Sequence, residues 1–564
     1  MMIRFAIIMG LVLVTACGPS ATETEKATVV NPDVALIEKA GAPLFEGMGN
    51  FSLKISTKDE GAQRYFDQAM VLAFAFNHAE SIRSFRAAQK LDPSCAMCFW
   101  GEALASGPNI NVTSNGRAIM SAADRVSAHK AAQHAINLMA GATEIEQDYI
   151  LAQATRFNGD ASTPREPLDV AYAAAMEAVS NKYPDDNNAA SMFAEALMNT
   201  MPWNYWADDG DPKPDTIKVI GKLEAVIQDQ PDHPLALHLY IHTVEASSNA
   251  GRAEAAADLL SDLVPGAGHL VHMPAHIYWR VGRYFDASEA NIEAAAVDEA
   301  YIAQCNAQGF YPALYYPHNI HFLWAASTME GRSELSIESA IKVANNVSLE
   351  QIKQFPTVEF FQTIPLLSYV RFGKWDEILD SPEPPDHLAY SRGIWHYARG
   401  VALTQTGEMA LAKQQHASIK PLSENMSISF LDERDYPASL LLSIADDLLL
   451  GEIALKENDH EGAIAHFKAA VDLQDTLPYT EPPFWYYPTR QSLGYALLQA
   501  GRSEAAADVY RQDLEAYPRN GWSMFGLAQA LEAEGKTGEA AEIKERFEEV
   551  WQMADVSLTA SRIE

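Results

Sequence analysis

The chain has 564 residues, 48% hydrophobic and 21% charged, enough to bury substantial cores either as several domains or as one extended repeat array. Its 41 basic and 75 acidic residues give a net charge of −34, which argues against nucleic acid or an anionic lipid surface as partner. Four cysteines, Cys17, Cys95, Cys98 and Cys305, are too few for a disulfide scaffold.

The N-terminus opens with a short basic start, Met1 to Arg4, then an apolar stretch from Phe5 to Val14, and ends in Thr15 and Ala16 before Cys17. The apolar run is too short for a stable membrane span. The pattern resembles a bacterial lipoprotein signal. That resemblance implies a signal peptide over 1–16, cleavage before Cys17 and lipidation of its thiol, and a periplasmic protein anchored by lipid, at the outer membrane in preference to the inner. Residues 17–35, rich in Ser, Thr, Glu and Lys over most of their length, read as a flexible tether. No later segment has the uninterrupted apolar length to cross a bilayer.

From Leu36 onward, segments rich in Ala, Leu, Glu and Gln alternate with short Gly-Arg, Asp-Pro and Tyr-Pro breaks, and no sustained strand-like alternation occurs. The fold class is therefore all-α. Asp92 and Pro93 form a cap and first-turn pair that places Cys95 and Cys98 near a helix N-terminus, where a thiolate is stabilised. Haem attachment would need a histidine where Phe99 stands. A local disulfide, two unlinked thiols, redox chemistry and copper binding remain open for this pair; Gly107 to Asn111 reads as a turn. Three aromatic-proline clusters, Met201 to Trp206, Tyr311 to Pro317 and Glu481 to Pro488, suit either helix-junction packing or the lining of a ligand groove.

The most telling segments lie in the middle. Eight of the 16 histidines fall between His233 and His321. His238, His242 and Glu245, then His269, His272 and His276, then His318 and His321, are each spaced to share one stripe of a helix. Imidazole is a common transition-metal ligand, so the crowding points to a metal site. Neighbouring packed helices lie about 8–10 Å apart, close enough for ligands from adjacent helices to converge, whereas the outer two helices are too distant for one ion. The number of imidazoles exceeds a four-coordinate shell, which suggests two metals or histidines in support. Zinc, copper and iron all suit imidazole with one carboxylate. Glu245 reads as a ligand, as a base on metal-bound water, or as the carboxylate that orients His242. Pro274 should break the middle helix, which puts His269, like Glu245, at the edge of the site. No His-Glu-x-x-His, paired Glu-x-x-His, nucleophile elbow, phosphate loop or dinucleotide fingerprint is present.

Towards the C-terminus a period can be counted: Leu493, Gly494, Gly501, Ala506 and Tyr510 are followed by Leu527, Ala528, Gly535, Ala540 and Lys544, each 34 residues on. Over 487–554 the pattern resembles the tetratricopeptide repeat (TPR), in which small residues stand where two helices pack, and weaker echoes occur around Phe85 and Tyr278. The resemblance implies a right-handed helical solenoid with one array over 36–350 and another over 351–564. Counted from Pro234, Pro265, Gly282 and Gly331, its register puts the histidines on first-helix positions that face a concave groove. An insertion between the second and third histidine helices, from Tyr301 to Tyr316, is long enough to cover that groove.

Taken whole, the chain resembles bacterial TPR lipoproteins that share the Cys-Ala-Met-Cys, His-Met-Pro-x-His and Tyr-Tyr-Pro-His-Asn phrases. The resemblance implies no activity. The expectation is a lipid-anchored periplasmic repeat protein that binds a small-molecule ligand, or a protein or peptide segment, in a groove around a His-rich metal site. A metal-dependent enzyme, oxidoreductase before hydrolase, and a metal-free assembly scaffold are the alternatives.

Overall fold

The computed structural model describes residues 32–112, 120–207, 210–307 and 309–563. Cys17 and the signal-like segment lie outside them. The protein is an all-α, TPR-like helical solenoid. Among the described residues every named element is helical, and the extended pairing amounts to two isolated bridges, Asn109 with Val112 and Trp206 with Pro212. No helix of the described residues is long and apolar enough to cross a membrane. The first helix, Pro32–Ala40, begins inside the segment read as a tether.

The helices start where side chains satisfy the orphan amides of a first turn. Asp59 accepts from Ala62, and Thr143 with Glu146 and Ser348 with Gln351 form capping boxes. Consecutive helices pair through short turns. In the counted repeats the pairs are Arg490–Gln499 with Ser503–Ala516 and Gly521–Ala533 with Thr537–Val550. The turn glycines Gly501 and Gly535 both hold positive φ, 73° and 80°, which closes each pair at the same repeat position.

The core does not stop at position 350. One cluster of buried apolar side chains runs from Ala40 to Ala540. The C-terminal helices turn back onto the middle of the chain. Trp522 donates from Nε1 to the Thr328 carbonyl at 3.1 Å, and the backbone of Pro518 comes so close to Gly282 that a Cβ there would lie 2.1 Å from its oxygen. This return brings residues near 480 to the histidine segments.

Candidate metal centre

Three helices carry the histidines. Pro234–Val244 begins with proline at its first turn, and the His233 ring caps it by accepting from the Ala236 amide at 3.2 Å. His233 is therefore a capping residue. On this helix His238 and His242 share one stripe, and Glu245 follows as its C-cap. The middle segment is interrupted as Pro274 requires, into Gly268–His272 and Pro274–Val281. Tyr316–Glu330 carries His318 and His321 and follows a π-helical turn, Tyr311–Tyr315.

The donor atoms meet in three groups: His238, His242 and His269; His272, His276 and His318; and Glu245, His276 and Glu481. Within each group they lie within 4.8 Å of one another. The middle helix thus serves both neighbours. Against expectation, His269 belongs to the first group and not to the edge, because the break at Pro274 leaves the turn that carries it intact. His321 joins no group. Its ring stacks on Trp324 at 5.3 Å and meets Phe360 and Phe361.

The expected groove is filled. His238 and His272 are 0% exposed, His276 is 4% exposed, and His318 alone of the grouped histidines is partly exposed. Phe76 lies 4.6 Å from the His238 ring, 5.3 Å from His269 and nearly parallel to His242. Trp203 meets His242 edge-on at 5.1 Å, Tyr315 meets His269 at 4.8 Å, and Phe322 covers His272 and His276. Phe76 and Trp203 both hold positive φ, 56° and 59°. For bulky residues such backbone costs on the order of 1–3 kcal/mol each and clusters at functional sites. Asn111 ties two of these covers together, accepting from Trp203 Nε1 at 3.0 Å and donating to the Tyr315 hydroxyl at 3.2 Å.

All three aromatic-proline clusters therefore reach the histidines. The last contributes Glu481, which the sequence reading did not single out. Its Oε2 lies 3.1 Å from His276 Nδ1, and Oε2 of Glu245 lies 2.5 Å from the same nitrogen. The Tyr479 hydroxyl donates to the other oxygen of Glu481. Glu245 also accepts from His242 Nδ1 at 2.9 Å, so one carboxylate holds a histidine of each triad. Arg280 fixes the helix end that bears it, donating to the carbonyls of Glu245 and of Ser247.

Electrostatics divide the cluster. Burial, reinforced by neighbouring imidazoles, pushes His238, His269, His272 and His318 well below the ordinary histidine range. Neutral imidazole is the ligating form. Burial would depress His276 as well, but the charge of Glu245 and hydrogen bonds to Glu245 and Glu481 overcome it and push His276 up to about 10. Burial raises Glu481, whereas for Glu245 the opposing burial is outweighed by His276 and His242, which hold it below the usual carboxylate range.

The donor set fits a metal. His238 Nε2 and both ring nitrogens of His269 are buried with no hydrogen-bond partner among the described residues. Leaving a buried polar group unsatisfied costs about 1–3 kcal/mol, and a neutral imidazole nitrogen offers a lone pair suited to zinc, copper or iron. Cys95 and Cys98, by contrast, form a buried disulfide at the start of Ala96–Ala105, so neither is a thiolate ligand. Cys305 is free and accepts from Arg83 at 3.1 Å.

No family profile and no curated protein matches this chain. Among solved structures it is similar to the human IFIT1 dimer with PPP-AAAA, at 13% identity over 86% of this chain and 89% of that one, with a TM-score of 0.31. It is also similar to the Cut9–Hcn1 hetero-tetramer of the APC/C, at 14% identity over 87% of each chain and a TM-score of 0.27. Yeast Tom70 matches at 12% identity over 88% of this chain and 93% of that one, with a TM-score of 0.26. With TM-scores this low, none of the three bears on what this chain binds.

Proposed function

We propose that this is a lipid-anchored, periplasm-facing TPR lipoprotein that carries a resident transition-metal centre in its middle, reached by a small ligand or partner segment from the partly exposed His318 side. The observation that carries the metal reading is His269: a 2% exposed imidazole whose two ring nitrogens both lack a partner. An ordinary core histidine makes at least one hydrogen bond. A bound ion would take one of those nitrogens and the unpartnered Nε2 of His238.

Anchor and compartment rest on the segment ending at Cys17. Cys17→Ser should move the protein from the membrane to the soluble fraction, and an intact mass without lipid would sink that part. For the centre, elemental analysis of purified protein after gel filtration should find bound zinc, copper or iron. The His238→Ala/His269→Ala double variant should bind less metal with its helical circular dichroism unchanged. Protein purified without metal that also takes none up on exposure to zinc and copper would leave the metal-free scaffold as the better reading; a redox-active ion would favour an oxidoreductase.

A further inference from the structure

The hydrogen bonds around the cluster fix which ring nitrogen of each histidine can ligate. Asn291 donates from Nδ2 to the Ala287 carbonyl at 2.7 Å, so its oxygen faces His272 Nδ1, also at 2.7 Å. His272 therefore carries its proton on Nδ1 and its lone pair on Nε2. His238 Nδ1 faces the Phe74 carbonyl at 2.7 Å, which sets the same tautomer. His242 Nδ1 faces Glu245, and His276 Nδ1 faces Glu245 and Glu481. Four histidines thus have Nδ1 held by an oxygen, the arrangement by which protein groups orient metal-bound imidazoles.

One consequence is otherwise awkward. His272 Nε2 and His276 Nε2 stand 2.9 Å apart, buried, with both Nδ1 positions committed to acceptors. Two lone pairs at that distance repel unless a proton or a cation lies between them. A proton on His276 Nε2 would serve these two rings, but it leaves His269 and His238 as they are. It also gives no role to His318, whose donor atom completes the second triad.

We infer that the cluster holds two transition-metal ions side by side, one on His238, His242 and His269 and the other on His272, His276 and His318, with Glu245 orienting a histidine of each. This rests on the metal reading above and extends it from one ion to two. Three nitrogens about 2.0–2.1 Å from a tetrahedral zinc are separated by about 3.4 Å, so the groups, spanning up to 4.8 Å, need only side-chain adjustments to close on an ion. Both ligand sets are imidazole nitrogens, which suits zinc or copper rather than calcium or magnesium. The carboxylates of Glu245 and Glu481 supply the compensating negative charge from behind the ligands. The second ion is the one open to a further ligand, since His318 is its partly exposed member.

The test is titration of the stripped full-length protein with zinc against a chromophoric chelator. Two equivalents per chain are expected. His238→Ala/His269→Ala and His272→Ala/His318→Ala should each retain one, and Glu245→Gln should weaken both by about 10–100-fold. One equivalent in the wild type, or loss of all bound metal in either double variant that keeps its circular dichroism, overturns the two-ion arrangement and leaves the metal reading standing. No binding at all overturns both. If either double variant loses its circular dichroism, the wild-type stoichiometry decides alone.

Discussion

The repeats at 487–554 and the histidine region at 234–330 are built from the same helix pairs and solve opposite problems. In the first, the Tyr510 ring fits between Gly494 and Gly526, where a Cβ on either glycine would collide with it at 2.5 or 2.3 Å. Shape does the stabilising there, as in any well-packed core. In the second, packing encloses imidazoles and two carboxylates, leaves nitrogens without partners and holds two aromatics in left-handed backbone. A chain that can pack as well as the first region has a reason to pack otherwise in the second, and departures of this kind mark functional sites.

The comparison is most exposed at Trp522, which is 0% exposed, lies under the Arg371 guanidinium at 3.6 Å and donates to Thr328. If the C-terminal repeats are held by volume, Trp522→Ala should cost about 3–5 kcal/mol in urea denaturation. A loss under about 1 kcal/mol would mean that the region tolerates a cavity and that the contrast is false. Removing metal should act on the other region. Chelation is expected to lower the apparent unfolding free energy by about 3 kcal/mol for each ion that was present at about 100 times its dissociation constant, and to act on His238→Ala/His269→Ala by one ion's share less. Equal loss in both proteins would place the chelator's effect elsewhere.

The C-terminal region buries one carboxylate, and it gives a pH dependence. Asp513 is 0% exposed, and burial pushes its carboxyl up to about 6 despite hydrogen bonds from Ser523 and Asn520. Between the unfolded value of about 3.9 and that raised value, the folded state keeps the proton and the unfolded state gives it up. Asp513 therefore costs stability as pH rises from about 4 to 6, and the cost stays constant above. Asp513→Asn should flatten the fall in stability between pH 4.5 and 7.5 by about 2 kcal/mol relative to wild type. An unchanged slope would remove Asp513 from the account. The smallest effect belongs to His321→Phe, which should leave metal content within about a tenth of wild type, because the ring it replaces packs among Trp324, Phe360 and Phe361. Loss of an ion would return His321 to the centre.

The sequence carried the all-α repeat architecture, because 34-residue spacing of small and turn residues is a local signal. It also carried most of the histidine cluster, because spacing on a helix determines which residues share a stripe. It could not carry the neighbours each residue meets. His318 and His321 are three residues apart on Tyr316–Glu330, yet His318 joins His272 and His276 while His321 meets Phe360 and Phe361, which the chain brings in from a later segment. Pro274 was legible as a break, but the intact turn before it, which keeps His269 inside, was not. Glu481 and Phe76 were beyond reach for the same reason as the neighbours of His321: each arrives through tertiary return of the chain, and nothing near either residue in sequence announces a histidine 205 residues away from Glu481 or 162 away from Phe76.

The contact between Glu481 and His276 spans those 205 residues. Nascent or truncated chains that end before Tyr479 possess every histidine of the cluster yet lack the carboxylate that helps compensate His276. Contacts of such sequence separation form late, after the intervening helices have found their places. The centre is thus a clasp on the finished molecule, matured only once the last repeats have docked, and its electrostatic balance reports that the whole solenoid has closed.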